Sequence, residues 1–401
     1  MSRATELSAA SPLAYAYTGG NAYAYTGGNA YAYTGGNAYA YSAPMESYGF
    51  GGYPGNPMLA AALQSTRAAI RRDILAGLLR GNSDFGATRD FGDPASRMPR
   101  VNAMAGLNRV GPQVRSSMAL LELMSSVSFD FGSSAPDRAS LYGRCLDQGQ
   151  LIQAELVSMT RPGRPYLDDH LELVDRWSPV RDGRVPEIFT QVAPPIACFA
   201  SVMNLQAGRH RSTLEFINTS VQFAYAVCMR FKLALNCPRP SELSAGLLPM
   251  LETPPHAALP AGHANEAHVT AAMLAALAGQ AAGTSTHQVL RRLAHRIAEN
   301  RVVAGLHFPV DNVAGRLLGD SLGSYLLAAC GARTRWGGGE FLGNTLLTAD
   351  AVLPSHELND QDSSADGRAN GPGCTAFVEQ RAAPALPVFR QMWLDAQAEW
   401  V

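Results

Sequence analysis

Between Arg138 and Ala329 apolar residues recur three and four positions apart in six successive stretches, and this periodicity limits the fold more than any other feature of the chain. The stretches are Arg138 to Met159, Glu187 to Leu205, Ser212 to Asn236, His263 to Ala278, His287 to Val303 and Pro309 to Ala329. Strand-type alternation is scarce, so the expected fold class is all-α: helical bundles whose facing helices and connecting loops build any site. Earlier in the chain, Met58 to Arg80 has helical spacing and stops at Gly81, and a shorter helix fits residues 112 to 125. Residues 331 to 373 read as loop, and Pro384 to Trp400 as one last helix.

The octapeptide AYAYTGGN runs three times without change from Ala14 to Asn37. A period of eight is too short for solenoid or propeller repeats, and Gly and Asn after each Tyr pair suit a disordered low-complexity tail. The expected organisation is therefore a tail over 1–57, an N-terminal helical region over 58–185, a core carrying the site over 186–330, and a loop region with a helix over 331–401. A Tyr-rich tail used in self-association, giving a homo-oligomer, is the sharper alternative for the repeats.

Hydrophobic residues make up 47% of the 401 positions and charged residues 16%, enough to bury a sizeable core. A net charge of -1 gives no electrostatic reason to expect nucleic acid or an anionic membrane as partner. No apolar run reaches the length of about 18 residues that a membrane span needs. The opening MSRATELSAASPLAYAY lacks the apolar run of a secretory signal, so a soluble protein, cytoplasmic or otherwise, is expected. The six cysteines show no metal-binding or C-x-x-C rhythm and read as reduced thiols.

Three short segments carry chemistry. They are Lys232 with Arg239-Pro240, then Pro260-Ala261-Gly262-His263, then Arg301 with His307 and Asp311. Lys232 sits near a helix end and Cys237-Pro238 stop that helix just before Arg239, so two cations leave one turn of chain. His263 follows Gly262 at a helix start, where free N–H groups and the positive dipole end favour an anion. Asp311 stands four residues past His307, placed to accept an imidazole proton and fix which nitrogen faces a ligand. Three cations, two imidazoles and a carboxylate in this arrangement suit a tetrahedral or trigonal-bipyramidal oxyanion.

These segments resemble the signature of the superfamily that joins type-2 phosphatidic acid phosphatases, bacterial nonspecific acid phosphatases and vanadium-dependent haloperoxidases. The family pattern K-x6-R-P, P-S-G-H, S-R-x5-H-x3-D appears here as KLALNCPRP, PAGH and NRVVAGLHFPVD, over about residues 186 to 330. The resemblance implies that Lys232, Arg239 and Arg301 hold the nonbridging oxygens of phosphate or vanadate, with a backbone N–H from Gly262. It makes His307 the apical group, a nucleophile in a phosphatase or the vanadium ligand in a haloperoxidase. His263 would be the general acid/base opposite, and Asp311 would orient His307.

Two departures stand out. Ala261 replaces the family serine and removes a hydroxyl donor worth roughly 1 to 3 kcal/mol, while Asn300 replaces the serine before Arg301 and keeps donor capacity. His256, in HAALPAGH, resembles the H-P-A-Y-P-S-G-H run of algal bromoperoxidases, where fungal chloroperoxidases have Phe, and so suggests a halide-side role. His268 points partly away from the pocket, and His287 and His295 lie on a basic helix whose charges are expected on a solvated face.

The favoured reading is a soluble haloperoxidase that binds vanadate as cofactor and uses hydrogen peroxide to oxidise bromide or iodide. The alternative is a metal-free acid phosphatase acting on phosphate esters through phosphohistidine, with no cofactor. The third is a noncatalytic oxyanion-binding relative. A lipid phosphatase would carry these motifs between membrane spans, and small exported acid phosphatases are shorter.

Overall fold

Gln148 (φ 49°) and Gly149 (φ 82°) place two successive residues in the left-handed region, the geometry of a tight two-residue hairpin turn. In the computed structural model this turn joins two long strands where the periodicity predicts a helix, so Arg138 to Met159 is a correction to the all-α expectation. Its apolar residues Leu141, Cys145, Leu156 and Met159 are all buried; the four-residue spacing of Leu141 and Cys145 fits either period, whereas Leu156 to Met159 is buried on both faces of its strand. Pairing with remote strands decides the outcome, and local pattern carries no record of that.

The structure describes residues 104–132, 135–192, 196–344, 374–379 and 382–400. The AYAYTGGN repeats and the expected helix Met58 to Arg80 lie outside these. The chain divides at Gly106, and the elements that follow belong to the unit Leu107–Val401.

In chain order the unit runs α1 (Pro112–Ser125), β1 (Val127–Phe131), β2 (Arg138–Asp147), β3 (Gln150–Thr160), α2 (Arg164–Asp169), α3 (Leu171–Asp175), α4 (Arg181–Thr190) and α5 (Ile196–Met203). It continues with α6 (Arg211–Leu235), α7 (Pro240–Leu243), α8 (Gly262–Leu277), α9 (Ser285–Val303), α10 (Pro309–Ala329), β4 (Trp336–Leu342), β5 (Cys374–Glu379) and α11 (Pro387–Gln397). The expected helix Glu187 to Leu205 is thus two helices, α4 and α5. Between them stand Pro194 and Pro195, which cannot donate helical hydrogen bonds. The stretch 331–373, expected as loop, contributes β4.

The strands form one sheet ordered β1-β2-β3-β4-β5. β3 and β4 pair in parallel, Val157 opposite Gly339, and the other neighbours are antiparallel. The sheet therefore joins strands from before the motifs to strands from after them, with α10 packed between it and the other helices. Tyr325 of α10 reaches across to donate to Ser126 O (2.9 Å). Two carboxylates cap helices remote in sequence: Glu399 accepts from the N–H groups of Ser212 and Thr213, and Glu122 from those of Val388 and Phe389.

Close approach of α10 to α8 depends on glycine. A Cβ on Gly319 would stand 2.5 Å from Asn265 O and 2.8 Å from the His268 Cβ. Because backbone cannot yield cheaply, Gly319→Ala is expected to destabilise by about 1 to 3 kcal/mol. An unchanged urea midpoint would show that the two helices stand farther apart than described here.

Asp320, next to Gly319, anchors a buried ionic cluster. Arg291 Nη1 and Nη2 donate to its two oxygens at 2.5 and 3.2 Å, Arg316 Nε lies 3.6 Å away, and His268 Nδ1 lies 3.2 Å away. The His268 ring meets the His295 ring edge-on, with centroids 4.9 Å apart. Arg291 and His295 thus turn inward from the basic helix, which corrects the expected solvated face, while His268 faces Asp320. Among the described residues, no helix is long and apolar enough to cross a membrane, and none of the six cysteines is in a disulfide.

Candidate oxyanion site

The three motif segments are joined to one another by hydrogen bonds. Lys232, in the last turn of α6, sends Nζ to the carbonyls of Ala257 and Ala258, both at 2.8 Å. Asn236 ends that helix in the left-handed region (φ 45°), and Cys237 O then accepts from Ala258 N (2.9 Å). Arg239, at the N-terminus of α7, donates from Nη1 to Leu306 O (2.9 Å) and from Nε to His256 O (3.1 Å). Ala261 N donates to Asp311 O (2.9 Å), closing the circle between second and third segments.

The loop between Arg301 and His307 is fixed as well. Arg181 of α4 donates to the carbonyls of Val303, Leu248 and Leu247 at 2.8 to 3.1 Å. Met250 N donates to Ala304 O (2.9 Å), and Gly305 turns the chain at φ +76°. Arg181→Ala releases three carbonyls at once and is expected to increase hydrogen exchange at residues 303–306 selectively. Exchange unchanged in that loop would remove the clamp from the account.

Lys232, Arg239, Arg301, His307 and Asp311 are each 4% exposed or less, so the cations here work in a weakly screening environment. Burial pushes Lys232 down to about 8 and Arg301 to about 10, and also lowers Arg239. All three remain cationic near neutral pH.

A guanidinium can only donate, so the 3.0 Å contact between Arg239 Nη1 and His307 Nε2 makes Nε2 the acceptor. His307 Nδ1 then carries the proton and donates to Asp311 Oδ2 (3.1 Å), which also caps α10 by accepting from Phe308 N (2.9 Å). Burial and the charges of Arg239 and Lys232 hold His307 well below the usual imidazole range. Its neutral ring therefore keeps an Nε2 lone pair, which Arg239 Nη1 engages here and which a ligand at this position would take over. Asp311 is pushed up to about 6 by burial, against Lys232 and Arg239, and its Oδ1 has no hydrogen-bond partner.

His263 Nε2 donates to Gln191 O (2.8 Å), and burial together with Arg301 pushes this ring down to about 3. Gln191 also accepts at Oε1 from Arg301 Nη2 (3.4 Å) and Asn300 Nδ2 (3.0 Å), so one residue joins all three. His256 Nδ1 accepts from Arg239 Nη2 (3.1 Å), which excludes donation from the same nitrogen to the Ala257 carbonyl 3.2 Å away. Burial and Lys232 lower this imidazole too.

A donor count tests whether an oxyanion suits the site. Lys232 and Arg239 each retain one N–H beyond the bonds described. Arg301 spends Nη2 on Ile188 O and Gln191, leaving both Nη1 hydrogens without a bond among the described residues, and its buried Nε has no partner at all. Gly262 opens α8, where the first-turn N–H groups have no intrahelical acceptor. Orphaned buried donors on cations match phosphate or vanadate, and no cluster of three or more His, Cys, Asp or Glu among the described residues suits a metal cation.

Residues 216–335 match the family model described as the PAP2 superfamily. The match covers the segment that carries all three motifs. No match is found among curated proteins.

The PAP2 segment holds all ten residues singled out in the sequence, and the structure brings them into one neighbourhood with different parts to play. Ala261 is fully buried against Ala264 and Ala298, leaving its position without a hydroxyl. Asn300 is turned to a supporting network: Nδ2 donates to Glu187 Oε2 and Gln191 Oε1, both at 3.0 Å, while Oδ1 accepts from Arg184 (2.8 Å). A hydrogen bond from Arg296, opposed by burial and helped by Asn300, pulls Glu187 down to about 2. Asn300→Ala leaves buried partners unpaired, and a loss of about 1 to 3 kcal/mol in chemical denaturation is expected. A loss below a few tenths would mean water replaces the amide without cost.

Arg181, Arg184, Glu187, Gln191 and Glu266 escaped the sequence reading. Glu266 alone had a usable signal, since it lies one turn after Gly262 on the predicted helix and therefore on the same face.

Proposed function

We propose that the protein binds a tetrahedral oxyanion between Lys232, Arg239 and Arg301 and, with vanadate as that oxyanion, acts as a vanadium-dependent haloperoxidase oxidising bromide or iodide with hydrogen peroxide. The observation that carries this reading is the neutral His307 ring, whose Nε2 faces Arg239 in surroundings charged by Arg239 and Lys232 and whose tautomer is fixed by the Nδ1–H bond to Asp311. When bound, vanadate supplies a Lewis acid that activates hydrogen peroxide toward attack by halide. Lys232, Arg239 and Arg301 neutralise oxyanion charge, and their fixed positions avoid reorganisation during turnover. Asp311 keeps the His307 tautomer correct, as carboxylates do for ligating imidazoles. His263 keeps its Nε2 proton on the Gln191 carbonyl and presents Nδ1 as a base.

His256 favours peroxide chemistry over hydrolysis. Its hydrogen bond to Arg239 couples it to the pocket, and an imidazole at this place matches the bromoperoxidase run identified in the sequence. The competing reading is an acid phosphatase in which the same Nε2 attacks phosphorus and His263 protonates the leaving alkoxide. That role requires a protonated ring, and a bound phosphate dianion would have to offset burial as well as the charges of Arg301, Lys232 and Arg239 to raise His263 from about 3. A noncatalytic oxyanion-binding protein is the remaining reading.

A paired assay on phosphate-free protein separates the three, following dye bromination with peroxide and bromide beside hydrolysis of p-nitrophenyl phosphate, with and without orthovanadate. Vanadate-dependent bromination is the expected result. Bromination absent at every vanadate concentration removes the haloperoxidase, and ester hydrolysis that vanadate inhibits establishes the phosphatase. If both activities are nil while phosphate still raises the unfolding temperature, the binding protein is left.

A further inference from the structure

Glu266 is a carboxyl in a pocket otherwise built to hold anions. It lies one turn along α8 from Gly262, and its Oε1 is 3.7 Å from where a Gly262 Cβ would stand, so the side chain reaches back toward the helix start. Side chains on helices point this way. Lys232 acts on it electrostatically from α6, as does the Cys228 thiol one turn earlier on that helix. Its carboxyl makes no hydrogen bond or ion pair among the described residues. An ionised, unpaired carboxylate here would repel the anion that the three cations attract.

We propose that Glu266 belongs to the oxyanion site in its protonated form, where the carboxylic O–H donates to a bound oxygen and supplies the donor that Ala261 lacks. This rests on the oxyanion reading of the pocket. Two observations from separate places in the chain meet in it: the missing hydroxyl at 261 and an unpartnered carboxyl one turn beyond the neighbouring glycine. Burial pushes Glu266 up to about 7, with Lys232 as the opposing influence, so the acid form is accessible near neutral pH. The titratable groups around it are Lys232 and Cys228 from α6 and His263 on its own helix, while α10 contributes Asp311, whose carbonyl holds Ala261 N. Lys232 and the Cys228 thiol titrate above Glu266, at about 8 and about 11, while Asp311 lies just below it at about 6 and His263 well below it at about 3. Asp311 and Lys232 change charge in the same direction as pH rises, so the share of the pH dependence that belongs to Glu266, whose proton loss both deletes a donor and adds a negative charge, is the share that its substitution removes.

The test is molybdate binding by calorimetry to the full chain, because this tetrahedral dianion keeps its charge across neutral pH. Wild type is expected to bind about tenfold more tightly at about pH 6 than at about pH 8. Glu266→Gln keeps a neutral donor and is expected to bind more tightly than wild type at about pH 8, with a smaller difference between the two pH values. Glu266→Ala is expected to bind about tenfold more weakly at the lower pH and to keep only the smaller pH dependence that Lys232 and Asp311 contribute. Adding Ala261→Ser to Glu266→Ala should restore affinity without restoring the steeper pH dependence of wild type. Glu266→Ala indistinguishable from wild type, or Glu266→Gln as weak as Glu266→Ala, overturns the proposal while leaving the pocket intact. No molybdate binding by folded wild type overturns the pocket reading itself.

Discussion

His307→Ala is expected to abolish whichever activity the paired assay detects, by at least about a thousandfold in kcat, as loss of a covalent group does in other enzymes. The imidazole is 4% exposed and sits between Arg239 and Asp311. Removing it deletes the lone pair, leaves a guanidinium hydrogen without its acceptor and leaves Asp311 Oδ2 with only the Phe308 N–H. Anion binding should survive, because Lys232 and Arg301 do not depend on His307 for their own hydrogen bonds. A variant that keeps activity but loses anion binding would contradict the assignment of His307 as the apical group. Asp311→Asn separates orientation from charge: it should preserve the fold yet lower kcat, since an amide can hold Nδ1 in the wrong tautomer.

The largest stability effect is expected at a distance from the site. Asp320→Ala leaves Arg291, Arg316 and His268 without their shared carboxylate in a place where the Asp320 side chain is 4% exposed. Breaking a buried ionic group by removing one member costs about 3 to 5 kcal/mol. Burial would raise the Asp320 carboxyl, but Arg291, His268 and Arg316 together hold it far below the ordinary carboxylate range. Its contribution is therefore complete above the unfolded carboxylate pKa and is lost only as pH falls through the lower folded value. The penalty for Asp320→Ala should accordingly be large and nearly constant above about pH 5 and shrink under strong acid. A penalty under about 1 kcal/mol at neutral pH would mean that solvent reaches the cluster.

The helical half of the fold was legible because its helices carry their own punctuation. Pro309 starts α10 and Thr284 caps α9, so those boundaries follow from local chemistry. The sheet was not legible. Its strands join residues near 140 to residues near 340, and the strongest local sign, Gln148-Gly149 at the hairpin, was a glycine in a segment whose apolar spacing also fits a helix. The charged site residues could be named because their spacing is tied to helix ends. Their supports could not, since Gln191, Glu187 and Arg184 reach Asn300 and Arg301 over more than a hundred positions. Arg291 and His295 were misplaced on a solvated face for the same reason, as only the packing of α9 against α10 supplies Asp320.

The central claim is that Lys232, Arg239, Arg301 and His307 surround a single oxyanion. Diffraction from crystals soaked in orthovanadate tests it directly. The account predicts one vanadate bonded to His307 Nε2, its oxygens held by the three cations and by Gly262 N–H. Vanadate found only elsewhere on the protein, with these four side chains still engaged as described here, would contradict it.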